Sequence, residues 1–200
     1  MQLLEKINPI TKERGTIMDE IKEIRLHGRG GLGTVKAAEA MVYAAVMDGI
    51  YANSIPFFGF ERQGAPVTAF LRISDKPIRP KNRVYNPHAV VVIDPTLMKA
   101  VDVFEGIREA SVFVVNTSLE ADRLDVDPKV KTLVTIDANK IAKEVLNSQI
   151  TNTVMLGALV KATGWVSLEK VMDKVAESWG DKNKQAVMRG YEEAVITLLK

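Results

Sequence analysis

Apolar and polar positions change period several times along the chain, and each change marks an element. Lys22 to His27 alternates polar and apolar side chains, the two-residue period of a strand. From Val35 the period lengthens. Val35, Ala38, Met41, Val42, Ala45 and Val46 recur at helical spacing, which predicts a helix over 33–47 stopped by Asp48-Gly49. Tyr51 to Ile55 reads as a short strand, 56–66 as a loop by its glycines and prolines, and Val67 to Ile73 as a strand. Ala89-Val90-Val91-Val92-Ile93 lacks polar alternation altogether, as expected of a strand covered on both faces of a parallel sheet. Asp94-Pro95-Thr96 predicts a helix start, with Asp94 as N-cap and Pro95 at the first helical position. Ser111 to Val115 and Lys131 to Ile136 read as further buried strands. Helical patterns then dominate over 138–146, 153–162, 168–179 and 184–199, separated at Thr163-Gly164 and Trp179-Gly180. Strands alternating with helices predict an α/β fold: a doubly wound, mostly parallel, Rossmann-like sheet with right-handed crossovers and additional C-terminal helices packed over it. Residues 1–20 read as a charged N-terminal extension broken at Asn8-Pro9, and 21–200 as a single domain.

Composition narrows the chemistry. Lys and Arg number 27 against 25 Asp and Glu, a net charge of +2 with no strong basic block, so no nucleic-acid partner is expected. The chain has no cysteine. That excludes a disulfide framework, a thiolate metal site, a cysteine nucleophile and a cysteine-ligated iron–sulfur cluster on these 200 residues. The longest clean apolar stretch, Met41 to Met47, is far short of the ~20 residues a membrane helix needs, and no signal segment precedes it. A cytoplasmic location with no membrane partner is the expectation.

Gly28-x-Gly30-x-x-Gly33 satisfies G-x-G-x-x-G between a predicted strand and a predicted helix. Glycines there permit a tight turn and close backbone approach to an anion, and the helix start directs N–H groups at it. Gly31 makes the turn more permissive, and the Arg29 guanidinium is suited to a bidentate phosphate contact. The dinucleotide reading lacks its ribose acid, because Asn53 and Ser54 occupy that region and Asp48 comes too early. Three readings stay open from the loop alone: an anion site of another kind, an independent NAD(P)-dependent dehydrogenase, and a ligand-free structural turn.

Further blocks carry a resemblance. Glu23 to Gly33, Phe57 to Val67, Asn86-Pro87-His88 with Val90 to Asp94, Asn152 to Leu159, and Arg189-Gly190-Tyr191-Glu192-Glu193 resemble, in order, the gamma subunit of 2-oxoacid:ferredoxin oxidoreductases. Pyruvate:ferredoxin oxidoreductase (pyruvate synthase) is the best-known activity of that family. Leu32 departs from the pattern, standing where many members carry Gln. The resemblance implies one subunit of a multi-chain enzyme that converts a 2-oxoacid, coenzyme A and oxidised ferredoxin to acyl-CoA, CO2 and reduced ferredoxin. It implies alpha, beta and delta partners, with thiamine diphosphate on alpha and beta and iron–sulfur clusters on delta and often beta. This chain would be non-redox, with no catalytic residue of its own, placed near the approach of coenzyme A. On that basis Gly28, Arg29, Gly30, Gly31, Gly33 and Thr34 are expected to hold an anionic group of the cofactor, and Phe57, Phe58, Glu61, Arg62, Gln63 and Gly64 to face a partner subunit.

Each residue also has a plainer reading. Phe57 and Phe58 serve the domain's own core as readily as an interface, and Phe60 favours the core. His27 reads as a satisfied structural histidine, because no acid or thiol partner is spaced to engage it. Asp94, at a strand's carboxyl end, reads more strongly as a helix cap than as a ligand contact, and Asn116 and Thr117 share that position on the next strand. Trp165 and Trp179 read as packing residues, with a subunit contact as the alternative, and Lys182, Lys184 and Arg189 as a solvated helix face.

Overall fold

Each strand follows from a run of residues that fit a pleated, covered surface. The computed structural model describes residues 20–58 and 64–200; the predicted extension up to residue 19 lies outside them. Seven strands form one sheet: β1 (Lys22–Arg29), β2 (Tyr51–Phe58), β3 (Pro66–Ser74), β4 (Ala89–Val92), β5 (Ser111–Asn116), β6 (Val130–Ile136) and β7 (Val195–Leu198), in the spatial order β2-β3-β1-β4-β5-β6-β7. β1, β4, β5 and β6 pair in parallel, while β3 lies antiparallel between β1 and β2, and β7 lies antiparallel on β6. Strands β1, β2, β4, β5 and β6 therefore share one direction, the mostly parallel α/β sheet expected. From β1 the chain winds to one edge and then, from β4, to the other.

Among the described residues five α-helices accompany the sheet: α1 (Thr34–Met47), α2 (Ala138–Leu146), α3 (Asn152–Thr163), α4 (Leu168–Trp179) and α5 (Asp181–Glu193). All five contribute to one core with the sheet, where Ile24, Leu26, Val91 and Val114 meet Ala38, Met41, Val154, Leu159 and Val187. On the opposite face, Val90, Val92, Phe113, Val115 and Leu133 are covered by Met98, Val103, Phe104, Ile107 and Leu124 from irregular segments and short 3-10 turns. The valine run of β4 thus has apolar cover on both sides, as its unbroken pattern predicts.

Two boundaries differ most from the sequence reading. The helix expected over 184–199 ends at Glu193, and Val195 to Leu198 turns into the edge strand β7. Val195, Ile196 and Thr197 are β-branched and prefer the pleated surface offered by β6. The loop expected to begin at Pro56 begins later, because Pro56 to Phe58 extend β2 and Pro66 opens β3. β2 is the sheet's edge, the position where a strand tolerates proline.

Candidate functional site

The glycine turn sits where the chain reverses its winding, at the carboxyl end of β1 and beside β4. This is the position where open α/β sheets bind ligands. β1 continues through Gly28 and Arg29, so the turn itself is only 30–33. Gly31 has φ +94° and Gly33 φ +73°, conformations that L side chains resist, and Gly33 forms the N-cap of α1. Gly28 is needed for a different reason. A Cβ there would lie 2.0 Å from Thr34 Oγ1. The Thr34 hydroxyl is thus tucked beneath the turn, buried and without a hydrogen-bond partner among the described residues. Gly30 is spent on the protein, its N–H donating to Ala65 O and its carbonyl accepting from the Gly64 N–H. That leaves Gly31 and Gly33, of the turn's glycines, lining the cleft beside it.

Arg29 is also engaged. Its Nε donates to Asp94 Oδ2 at 2.7 Å, one terminal nitrogen to Thr96 Oγ1 at 2.8 Å and the other to Gly64 O at 3.0 Å. Asp94 caps the 3-10 helix Pro95–Lys99 by accepting from the Thr96 N–H at 2.9 Å, as its Asp-Pro-Thr context predicts. Burial raises the Asp94 carboxyl's pKa, but hydrogen bonds from Thr96 and Arg29 outweigh it and hold the group below its ordinary range. The guanidinium expected to face a phosphate thus ties the glycine turn to the β4 end. The tie spans 65 residues, and no local pattern signals it.

Beside the turn a cleft of about 640 Å3 opens, lined by Gly31, Gly33 and Lys36 on one wall and by Trp179, Gly180, Asp181, Lys182 and Asn183 on the other, with Ser148, Ile150 and Asn152 between them. That volume suits a cofactor-sized ligand. Lys36 and Lys182 supply positive charge. Lys36 is shared with Glu39 at 2.8 Å, and Asp181 adds one negative group to the rim. A second, more polar cleft of about 720 Å3 shares Ser148 and runs across the β4 and β5 ends past Asp94, Asn116 and Asn139. Asn116 is committed structurally, donating to Ile93 O and accepting from the Ala138 N–H. No local signal in the sequence marks the wall formed by Trp179 to Asn183, whose tryptophan reads as packing and whose lysine reads as a solvated face.

His27 is buried, and its Nε2 accepts from Arg25 Nε at 3.1 Å. Burial, reinforced by the Arg25 charge, pushes its pKa down to about 3, so it is a neutral structural imidazole at neutral pH. Phe57 is 38% exposed at the sheet edge, with the Arg83 guanidinium 3.6 Å above its ring and Phe70 behind it. Gly64 is exposed with φ +81°. The side chain of Phe58, and all of Phe60, Glu61, Arg62 and Gln63, lie outside the described residues. Among the described residues no group of three or more His, Cys, Asp or Glu is placed to hold a metal ion, and no helix is long and apolar enough to cross a membrane. The dinucleotide reading loses its remaining support in the topology. β3 separates β2 from β1, so Asn53 sits on the sheet edge, donating to Pro80 O, away from the turn.

The model of the pyruvate ferredoxin/flavodoxin oxidoreductase family matches residues 23–193. The chain belongs to that family. It is 44% identical over 180 residues to the pyruvate/ketoisovalerate oxidoreductases common subunit gamma of Pyrococcus furiosus, across 87% of this chain and 97% of that one. It is 49% identical over 175 residues to pyruvate synthase subunit PorC of Methanothermobacter thermautotrophicus, across 86% and 94%. Among solved structures it is similar to pyruvate oxidoreductase subunit PORC of Thermotoga maritima, with a TM-score of 0.79 and 37% identity over 89% of this chain and 99% of that one. Two blocks that carried the resemblance to this family acquire a physical role. A Cβ on Gly157 would lie 2.0 Å from Val187 O, and one on Gly190 would lie 2.0 Å from Val154 O. The two glycines let α3 and α5 cross in backbone contact beneath the cleft. Asn152, which opens the same block, reaches the glycine turn itself by donating to Gly33 O at 3.3 Å.

Proposed function

We propose that this family member works in the cytoplasm as the non-redox gamma subunit of a 2-oxoacid:ferredoxin oxidoreductase, with pyruvate as the 2-oxoacid, and that the glycine-turn cleft receives the phosphate-bearing part of coenzyme A. Alpha, beta and delta subunits supply thiamine diphosphate and the iron–sulfur clusters, and ferredoxin takes the electrons from the assembled enzyme. The absence of cysteine supports that division, because these residues offer no thiolate for a cluster. The near full-length match to gamma and PorC subunits supports the assembly. One relative is named as common to pyruvate and ketoisovalerate oxidoreductases, which favours placing 2-oxoacid selection on other chains.

The observation that carries the cofactor reading is the cleft's construction. Gly31 and Gly33 expose backbone at the N-terminus of a 14-residue helix, facing Lys182 and Trp179 across a space of cofactor size. A helix start favours negative charge by about 0.3–1 kcal/mol at an exposed site, and lysines add a salt-sensitive attraction. Trp179 offers a flat face suited to a purine. The contribution to the reaction is positional: binding coenzyme A at this cleft raises the local concentration of its thiol at chemistry performed by partner chains. Gly31→Asp sets a carboxylate in the cleft. In the assembled enzyme it should raise the KM for coenzyme A at least about tenfold and leave that for pyruvate unchanged. An unchanged coenzyme A KM would refute the cofactor role.

A further inference from the structure

Both walls of the cleft are tied to one short junction at the start of α3. Asn152 is 5% exposed and Thr153 fully buried. On one side the Asn152 amide nitrogen donates to Gly33 O at 3.3 Å, while its oxygen accepts from the Thr153 N–H at 2.9 Å. The fit is tight enough that a Cβ on Gly33 would lie 2.4 Å from Asn152 Nδ2. On the other side Thr153 Oγ1 donates to Asn183 Oδ1 at 3.3 Å, and Asn183 Nδ2 donates to Trp179 O at 2.9 Å. A single chain of hydrogen bonds therefore runs from the glycine turn, through two consecutive residues, to the α4–α5 turn that forms the opposing wall.

We propose that Asn152 and Thr153 are positioning residues that fix the distance between the anion-facing backbone and the Trp179–Asn183 wall, and so set the affinity for coenzyme A. The proposal rests on the cofactor reading of the cleft. Neither residue needs to touch the ligand. Both ends of the Asn152 amide and the Thr153 hydroxyl are engaged within the chain, so their influence passes through the groups they hold. Two buried polar side chains at a helix start are costly to keep unless paired, and here the pairing joins the two walls across the floor of the cleft.

Thr153→Val is nearly isosteric and removes only the hydroxyl link. In the assembled enzyme it should raise the KM for coenzyme A about fivefold, with kcat within about twofold and the KM for pyruvate unchanged. Thr153→Ser restores the hydroxyl and should bring the coenzyme A KM back to within about twofold of the parent. Asn152→Ala releases the glycine wall and should raise it about tenfold. If the enzyme carrying Thr153→Val does not assemble, Thr153→Ala removes the same hydroxyl without putting a second branched methyl in its place and is read the same way. The proposal falls if Thr153→Val leaves the coenzyme A KM at the parent value. It falls equally if both KM values and kcat worsen together, or if Thr153→Ser gives no recovery. Gly31→Asp separates the two levels. A rise with Gly31→Asp but none with Thr153→Val overturns only the positioning role, whereas no rise with Gly31→Asp overturns the cofactor reading beneath it.

Discussion

Burial fixes the charge state of His27, and the consequence is measurable. The imidazole accepts from Arg25, so its neutral form is the one the fold holds, and its pKa lies near 3 against 6.5 for an exposed histidine. The unfolded chain therefore binds the proton first as pH falls. Stability contributed by the neutral ring is complete above about pH 6.5 and is lost at up to roughly 1.4 kcal/mol per pH unit between about 6.5 and 3. His27→Gln keeps an acceptor for Arg25 and removes the titration. Urea unfolding at pH 7 and pH 5 should show the parent losing about 2 kcal/mol more than the variant across that interval; equal losses would contradict the assignment. Arg29 illustrates the opposite kind of residue. Its place beside the glycines suggests a guanidinium free for a phosphate, yet Asp94, Thr96 and Gly64 occupy it. Its work is to hold the turn against the β4 end.

Secondary structure is legible in the sequence wherever one environment governs a whole run, and obscure where a distant neighbour does. The valines of 89–92 announce a doubly covered strand, and the Asp-Pro-Thr start after them is a true cap. Val195 to Leu198 keeps an apolar rhythm compatible with the preceding helix, and only β6, more than fifty residues earlier, makes it a strand. The pairing of Gly157 with Gly190 is equally hidden, because each glycine is explained only by the backbone of the other helix. Gly157→Ala tests that crossing. The added methyl gains helix propensity of about 0.5–1 kcal/mol but must displace backbone at Val187 and Tyr191. We expect a net loss of about 2 kcal/mol and a Tm lower by roughly 4–8 °C. A Tm unchanged or raised would mean that α3 and α5 have room to spare.

The assembled arrangement explains why the glycine motif can be found in the sequence and its surroundings cannot. G-x-G-x-x-G encodes a turn at the carboxyl end of β1. What the turn faces is decided by α3, α4 and α5, whose contributions arrive from more than a hundred residues away, Asn152 to Gly33 being 119 apart. The topology also removes the nearest alternative, because β3 intervenes where a dinucleotide fold would bring a ribose acid beside β1. What remains is a cysteine-free α/β domain of the pyruvate ferredoxin/flavodoxin oxidoreductase family with a tryptophan-walled cleft, lined by Lys36, Lys182 and Asp181, beside its glycine turn. Amide hydrogen exchange on the assembled enzyme, with and without coenzyme A, examines that cleft directly. Coenzyme A should slow exchange in segments 31–36 and 179–183 of this chain, and Gly31→Asp should abolish the slowing. Protection confined to other subunits, with those two segments unchanged, would contradict the account.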